Sequence, residues 1–322
     1  MLIPLTLTSR VKEIPLLKVE SLDDILEELV AAIPESVDAT PIIYSPSLSY
    51  NDPPTFEDFI GQDSPKEVLI IIVEAALKRG EYIPNILLTG MFGHGKTTLA
   101  KLIATKLKVN TRLIDGVLSE TLFKNPNPNM IYIIDEIHNI PPVVADSLNI
   151  LLDSKQLHII GCTTSPGKLS APFRSRFRQM YLEEYTEIHI KQILSRASNR
   201  AKIDITDNSL NLLSSRAKLN PRNALTLLDF VKESAIVKEI EQISEDLIHS
   251  SLKSLKVDDL GLTEIDRVYL NALNYTKPVG LRHISSVLSL DIVTIEEQVE
   301  PFLLKIGLIE RTARGRLRLF SE

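Results

Sequence analysis

The chain has 322 residues, 44% hydrophobic and 24% charged, with 36 lysines and arginines against 42 acids and a net charge of −6. This is an ordinary globular balance that excludes a chain coated in basic surface, and no apolar run approaches the roughly 20 residues of a membrane-spanning helix. The single cysteine, Cys162, excludes an internal disulfide framework and fits a reducing, cytoplasmic setting, while the N-terminus lacks the basic-then-apolar pattern of a secretion signal.

Residues 1–51 read as an extension. Leu22, Ile25, Leu26, Leu29 and Val30 fall on one face of a short helix that Ser21 can cap and Pro34 ends. Pro41, Pro46, Pro53 and Pro54 mark an extended linker. Two uses stay open for that helix: packing on the body of the same chain, or docking a partner or neighbouring subunit.

Residues 52–185 alternate helix and strand, which implies a parallel sheet. Strands are expected at Ile86–Leu88, Arg112–Ile114, Ile131–Ile134, Leu157–Cys162 and Gln179–Leu182, with a helix at Val143–Leu152. Cys162, within an apolar run, reads as a small buried core residue. After the first strand comes Gly90-Met91-Phe92-Gly93-His94-Gly95-Lys96-Thr97-Thr98, which fits the phosphate-binding P-loop pattern. A triphosphate needs backbone N–H groups curled around it, and glycines permit that curl. Gly90, Gly93, His94, Gly95 and Thr98 therefore belong to the expected cradle. Lys96 would reach the β/γ-phosphates and the Thr97 hydroxyl would ligate Mg²⁺. Leu99, Leu102, Ile103 and Leu107 recur at helical spacing, so a helix N-terminus faces the anion. The third strand ends in Asp135-Glu136, a Walker B pair: Asp135 suits the Mg²⁺ shell and Glu136 suits a base that polarises water. His138 has no second histidine, cysteine or acid at metal-ligand spacing and reads as structural.

Residues 186–256 turn all-helical, with helices expected at Ile188–Ser198, Ser209–Ala217, Pro221–Val237 and Ser244–Leu252. In residues 257–322, helices at Glu264–Leu273, Leu281–Leu288 and Thr294–Lys305 precede a basic hairpin, Leu308–Phe320. That order is a winged helix, a module whose third helix and wing commonly meet DNA, although a use in protein contacts stays open. Arg314 and Arg316 would lie on the wing, within reach of DNA phosphates.

From Phe56 onward these motifs resemble the AAA+ ATPases and, within them, the RuvB family of Holliday-junction branch-migration motors. The carrying strings are Phe56-Glu57-Asp58-Phe59-Ile60-Gly61-Gln62, the P-loop, Asp135-Glu136-Ile137-His138, Gly161-Cys162-Thr163-Thr164 and Ala171-Pro172-Phe173-Arg174-Ser175-Arg176-Phe177. They continue through Asn220-Pro221-Arg222-Asn223-Ala224, Asp259-Leu260-Gly261-Leu262, Pro278-Val279-Gly280-Leu281, Glu300-Pro301-Phe302-Leu303-Leu304-Lys305-Ile306-Gly307 and Arg311-Thr312-Ala313-Arg314-Gly315-Arg316. The resemblance implies an AAA+ parallel-sheet ATPase domain, a helical lid and a winged helix. It implies adenine-side contacts at Phe59, Ile60 and Gly61, with Tyr185 as a stacking partner. Thr164 is implied as the γ-phosphate sensor, Arg222 as the lid's phosphate-reaching arginine, and Arg174 as the arginine finger offered to a neighbour, with Arg176 second. It further implies ATP and Mg²⁺, a homo-oligomeric ring (a hexamer), and a DNA cargo.

The chain also departs from that family. Between Gln156 and Thr164 it passes almost directly from helix to sensor strand, where RuvB proteins carry a long β-hairpin that docks RuvA. The segment around Asn125-Pro126-Asn127-Pro128-Asn129 is short, and the N-terminal extension has no counterpart. The expectation is a RuvB-like ring motor driving DNA translocation or branch migration with a protein partner other than RuvA. The alternative is an ATP-gated assembly or remodelling factor that grips protein. A ring that binds nucleotide but hydrolyses slowly is disfavoured by Glu136, Arg174 and Arg222.

Overall fold

The computed structural model describes residues 55–116 and 126–319. The expected helix around Leu22–Val30 and the proline linker lie outside the described residues, as do Asn125 and Phe320.

Helix α1 (Asp63–Arg79) leads into strand β1 (Ile86–Thr89), followed by α2 (Lys96–Leu107), β2 (Asn110–Asp115), β3 (Met130–Asp135), α3 (Pro142–Asp153), β4 (His158–Thr163), α4 (Ala171–Arg174) and β5 (Arg178–Tyr181). The strands form one sheet in the order β2-β3-β4-β1-β5, and every pair is parallel. Strands β1 and β3 are buried almost end to end because helices cover both faces of the sheet, which is why they read as unbroken apolar runs. Leu69, Val73, Leu99, Ile103, Ile131 and Ile133 fill one face, while Leu87, Ile134, Leu148, Leu157 and Phe173 fill the other. Each such side chain contributes about 1.5–3 kcal/mol by leaving water. Cys162 sits fully buried in the first of these cores.

The strand order positions the site. Strand β4 lies between β1 and β3, so the residue after β4, Thr164, emerges between the P-loop and Asp135-Glu136. All three carboxyl ends open on one edge, where ligands bind in open α/β sheets.

The second core is helical: α5 (Glu187–Ala201), α6 (Asp207–Arg216), α7 (Pro221–Val237) and α8 (Glu245–Ser254), with the short strands β6 (Asp204–Ile205) and β7 (Gln242–Ile243) paired in parallel. Ile190, Leu194, Leu213, Leu228, Val231 and Ile248 interlock there. The third core contains α9 (Glu264–Ala272), α10 (Leu281–Leu288), α11 (Ile292–Thr294), α12 (Glu300–Lys305) and the antiparallel hairpin β8 (Ile309–Thr312) and β9 (Gly315–Arg318).

One element differs from expectation. The helix read as continuous over Thr294–Lys305 is interrupted by a π-helical turn at Ile295–Val299. Pro301 supplies no N–H to the carbonyl four residues earlier, that of Glu297, and its ring crowds that carbonyl, so the regular ladder cannot pass through.

The hairpin is pinned to this turn by buried charge. Glu300 is fully buried and accepts from Arg311 Nε at 2.6 Å, Arg316 Nε at 2.8 Å and the Tyr269 hydroxyl at 2.8 Å. Burial alone would raise the pKa of Glu300, but Arg316, Tyr269 and Arg311 outweigh it and hold the carboxyl below its usual range. Removing Arg316 leaves a buried charge short of a partner. Arg316→Met is therefore expected to cost about 3 kcal/mol, read as a lower midpoint in urea unfolding. Because the folded pKa of Glu300 lies below the unfolded one, this contribution is present above its ordinary value of 4.5 and is lost as the pH falls through the lowered folded value. The wild-type advantage should shrink at acidic pH.

Candidate active site

The loop between β1 and α2 curls because Gly93 and Gly95 take positive φ, at 78° and 83°. A Cβ on Gly93 would lie 2.3 Å from Asn220 Oδ1, and one on Gly95 would lie 2.9 Å from Phe59 Cζ. Both positions exclude larger residues by close approach as well as by backbone conformation. Lys96 is 5% exposed, and its Nζ donates to the carbonyls of Gly90 and Met91 at 2.9 and 3.0 Å. Burial pulls its pKa down despite the nearby carboxylates of Glu136 and Asp135. A buried ammonium hydrogen-bonded, among the described residues, to carbonyls alone is prepared to meet an anion. Next to it the Thr97 hydroxyl donates to Asp135 Oδ2 at 2.9 Å, pairing the two oxygens suited to Mg²⁺.

Glu136 has a left-handed backbone, φ 44°, a strained conformation for a non-glycine residue. Gly116 makes room for it: a Cβ there would fall 2.2 Å from the Glu136 carbonyl oxygen. Glu136 Oε2 lies 3.2 Å from His138 Nδ1 and accepts from the Thr164 N–H and hydroxyl, each at 3.3 Å. His138 Nδ1 is also 2.9 Å from the Thr163 hydroxyl, so this histidine is built into the carboxylate's support. Burial would raise the Glu136 pKa, but the hydrogen bond from His138 and the charge of Lys96 keep it lowered. The group is thus an ionised carboxylate at neutral pH, suited to orienting water.

A cavity of about 440 Å³ connects these groups. Phe59, Ile60, Tyr185, Gly93, Gly95, Lys96, Thr97, Thr98, Asp135, Glu136 and Arg222 all border it. A glycine-lined cradle, a buried ammonium and a hydroxyl–carboxylate pair fit a Mg²⁺-nucleoside triphosphate. The Tyr185 ring is 3% exposed and packs within 3.2 Å of where a Gly61 side chain would begin. Gly61, Gly90 and His94, expected at the nucleotide, do not border this cavity; His94 borders a neighbouring one of about 360 Å³ between the loop, α7 and the winged helix. Burial and the charge of Lys96 push the His94 pKa down to about 4, so its ring is neutral.

Helix α7 reaches the loop from the lid. Asn220 caps it by accepting from the Arg222 and Asn223 N–H groups, and its Nδ2 donates to the Phe92 carbonyl at 2.7 Å. The Arg222 guanidinium stacks 4.2 Å from the Phe92 ring centre.

The two arginines after β4 have different surroundings. Arg176 is locked to Asp153 through bonds of 2.8 and 2.6 Å. The Arg174 guanidinium meets a backbone carbonyl, that of Pro166, at 3.0 Å and does not border its own chain's cavity.

Family models match nearly all of this architecture. The Holliday junction DNA helicase RuvB P-loop domain matches residues 52–160, the RuvB AAA lid domain 185–258 and the RuvB C-terminal winged helix domain 259–318. The chain belongs to the RuvB family. Holliday junction branch migration complex subunit RuvB of Campylobacter fetus is 35% identical over 298 residues, covering 84% of this chain and 87% of the relative. The Thermotoga maritima protein of the same name is 30% identical over 305 residues, covering 85% and 91%. A solved structure of the Thermotoga maritima RuvB Holliday junction branch migration motor superposes with a TM-score of 0.79 at 33% identity, covering 84% of this chain and 96% of that one.

Within this RuvB-family ATPase the wing departs from its expected form. Arg316 is committed to Glu300 and, through Nη2, to Glu296 at 2.7 Å, so its guanidinium is spent inside the chain rather than offered outward. Arg311 is likewise held by Glu300, whereas Arg314 is exposed at the hairpin tip. Sequence reasoning also missed Asn220, Gly116 and the part of His138 in supporting Glu136. Among the described residues no helix is long and apolar enough to cross a membrane.

Proposed function

We propose that this chain is a ring-forming motor that couples Mg²⁺-ATP hydrolysis to branch migration or translocation of DNA. The observation that carries the reading is the convergence of Lys96, Thr97, Asp135 and Glu136 on one cavity in a RuvB-family chain, with Thr164 hydrogen-bonded to Glu136 beside it. In this reading Lys96 and the loop N–H groups hold the phosphates, and Phe59, Ile60 and Tyr185 enclose the base. Glu136 orients and polarises the attacking water. Thr164 and Arg222 contact the terminal phosphate. Thr97 and Asp135 would hold Mg²⁺, which neutralises charge on the phosphates. Arg174 serves the neighbouring subunit's site, which ties hydrolysis to assembly, and a heterologous interface that closes on itself makes a ring.

The relatives are named as branch-migration complex subunits. Here only residues 154–157 join α3 to β4, a span too short for a docking hairpin, which supports a protein partner other than RuvA. One observation favours a second reading, an ATP-gated remodelling factor acting on protein: Arg311 and Arg316 are neutralised within the chain, leaving Arg314 to meet phosphate. The deciding experiment is dissociation of a four-way DNA junction with ATP at low salt, together with ATPase rates with and without that DNA. The motor reading expects junction dissociation and stimulated hydrolysis, both weakened in Arg314→Ala. Hydrolysis indifferent to DNA, with no DNA binding, would favour the remodelling factor.

A further inference from the structure

A side chain of the winged helix reaches the two residues that follow strand β4. Glu297 accepts from the Ser165 hydroxyl at 2.9 Å and from the Thr164 hydroxyl at 3.1 Å. A threonine hydroxyl carries one proton. Its other acceptor, Glu136 Oε2, is farther away at 3.3 Å. Glu297 therefore competes with Glu136 for the same proton, and it brings a further carboxylate to the residue that meets the terminal phosphate in the reading above.

The local structure explains how Glu297 reaches there. It lies in the π-helical turn Ile295–Val299, at the position whose carbonyl Pro301 leaves without its ladder partner. Glu296 in the same turn and Glu300, the first residue of α12, hold the wing. Glu296 accepts from Arg316 Nη2 at 2.7 Å through its side chain and from Arg311 Nη2 at 3.2 Å through its carbonyl, while Glu300 takes both arginines. Strands β8 and β9 are thus tied to a turn whose middle acid holds Thr164 and Ser165. A shift of the hairpin moves that acid.

We propose that Glu297 is a positioning residue that couples the place of the winged helix to the ATP site. With the winged helix seated, its carboxylate draws the Thr164 hydroxyl aside and sets negative charge beside the residue that would meet the terminal phosphate. A ligand that draws the wing away frees Thr164. Triphosphate binding and the seated winged helix oppose each other, and that opposition is reciprocal. A diphosphate has no terminal group to meet Thr164, so it is indifferent. The inference rests on Thr164 acting at the terminal phosphate.

The test uses the full chain. Affinities for a non-hydrolysable ATP analogue and for ADP are measured in wild type, Glu297→Ala and Glu297→Gln, with ATPase rates with and without duplex DNA. Glu297→Ala is expected to bind the ATP analogue roughly fivefold tighter or more, with ADP affinity unchanged. Its DNA-free hydrolysis should rise and its stimulation by DNA should shrink. Glu297→Gln, which keeps one acceptor without the charge, should fall between. Equal shifts for both nucleotides, or unchanged or weakened binding of the analogue, would overturn the coupling. Thr164→Ala separates the two levels: wild-type hydrolysis there contradicts the role of Thr164 itself, whereas a dead Thr164→Ala beside an unselective Glu297→Ala contradicts the coupling alone.

Discussion

A Lys96→Ala chain is expected to lose ATP binding by at least about a hundredfold, measured by titration with a fluorescent ATP analogue. Truncating one partner of a buried, hydrogen-bonded charge pair costs about 2–5 kcal/mol. Lys96 becomes of that kind once phosphate binds, because burial strips its ammonium of water and the Gly90 and Met91 carbonyls are neutral partners. The ammonium gains its full partner when phosphate arrives. Glu136→Gln should behave oppositely. The amide keeps the shape of the carboxylate but cannot polarise water, so binding persists while kcat falls by about 10²–10⁴. The two variants together separate anion capture at Lys96 from water activation at Glu136. Normal turnover in Glu136→Gln would remove the assignment of that residue.

Arg174→Ala is expected to leave ATP affinity nearly unchanged and lower kcat by about 10³ or more, the range of a transition-state arginine. The geometry separates this residue from Arg176. Arg176 makes a bidentate pair with Asp153, so its loss should act on stability, whereas Arg174 rests on one carbonyl and releases cheaply. Helix α4, which carries Arg174, is only four residues long, begins at a Ser170 cap and is anchored by buried Phe173. That anchor fixes the backbone carrying the arginine, whose side chain does not border the cavity of its own chain. A kcat loss of that size in Arg176→Ala, with Arg174→Ala active, would reverse the assignment.

The parts of the fold legible in the sequence are those set by local rules. Strand β3 announced itself as an apolar run ending in acids, α2 by its leucine spacing, and the P-loop by glycines that only a tight anion cradle requires. The order of strands explains why Thr164 falls between the loop and Glu136, and a parallel sheet with alternating helices made that edge the expected site. What stayed hidden depends on contacts across long separations. Asn220 reaches Phe92, and Glu297 reaches Thr164, through side chains that no periodicity reveals. The wing shows the same limit from the other side. A run of arginines reads as a surface charge until the buried acid beneath it, Glu300, is placed. Pro301 was the one local signal for the π turn, since a proline inside a helical stretch must break its ladder.

In the proposed motor the P-loop forms half of a site that a neighbouring subunit completes. Mixing tests it. Lys96→Ala subunits lack a working site but offer an intact Arg174, and Arg174→Ala subunits offer an intact site without the finger. Each is expected to be nearly inactive alone, and equimolar mixtures should hydrolyse ATP well above the sum of the two. Mixtures that never exceed that sum, although the subunits assemble together, would contradict a site shared between neighbours.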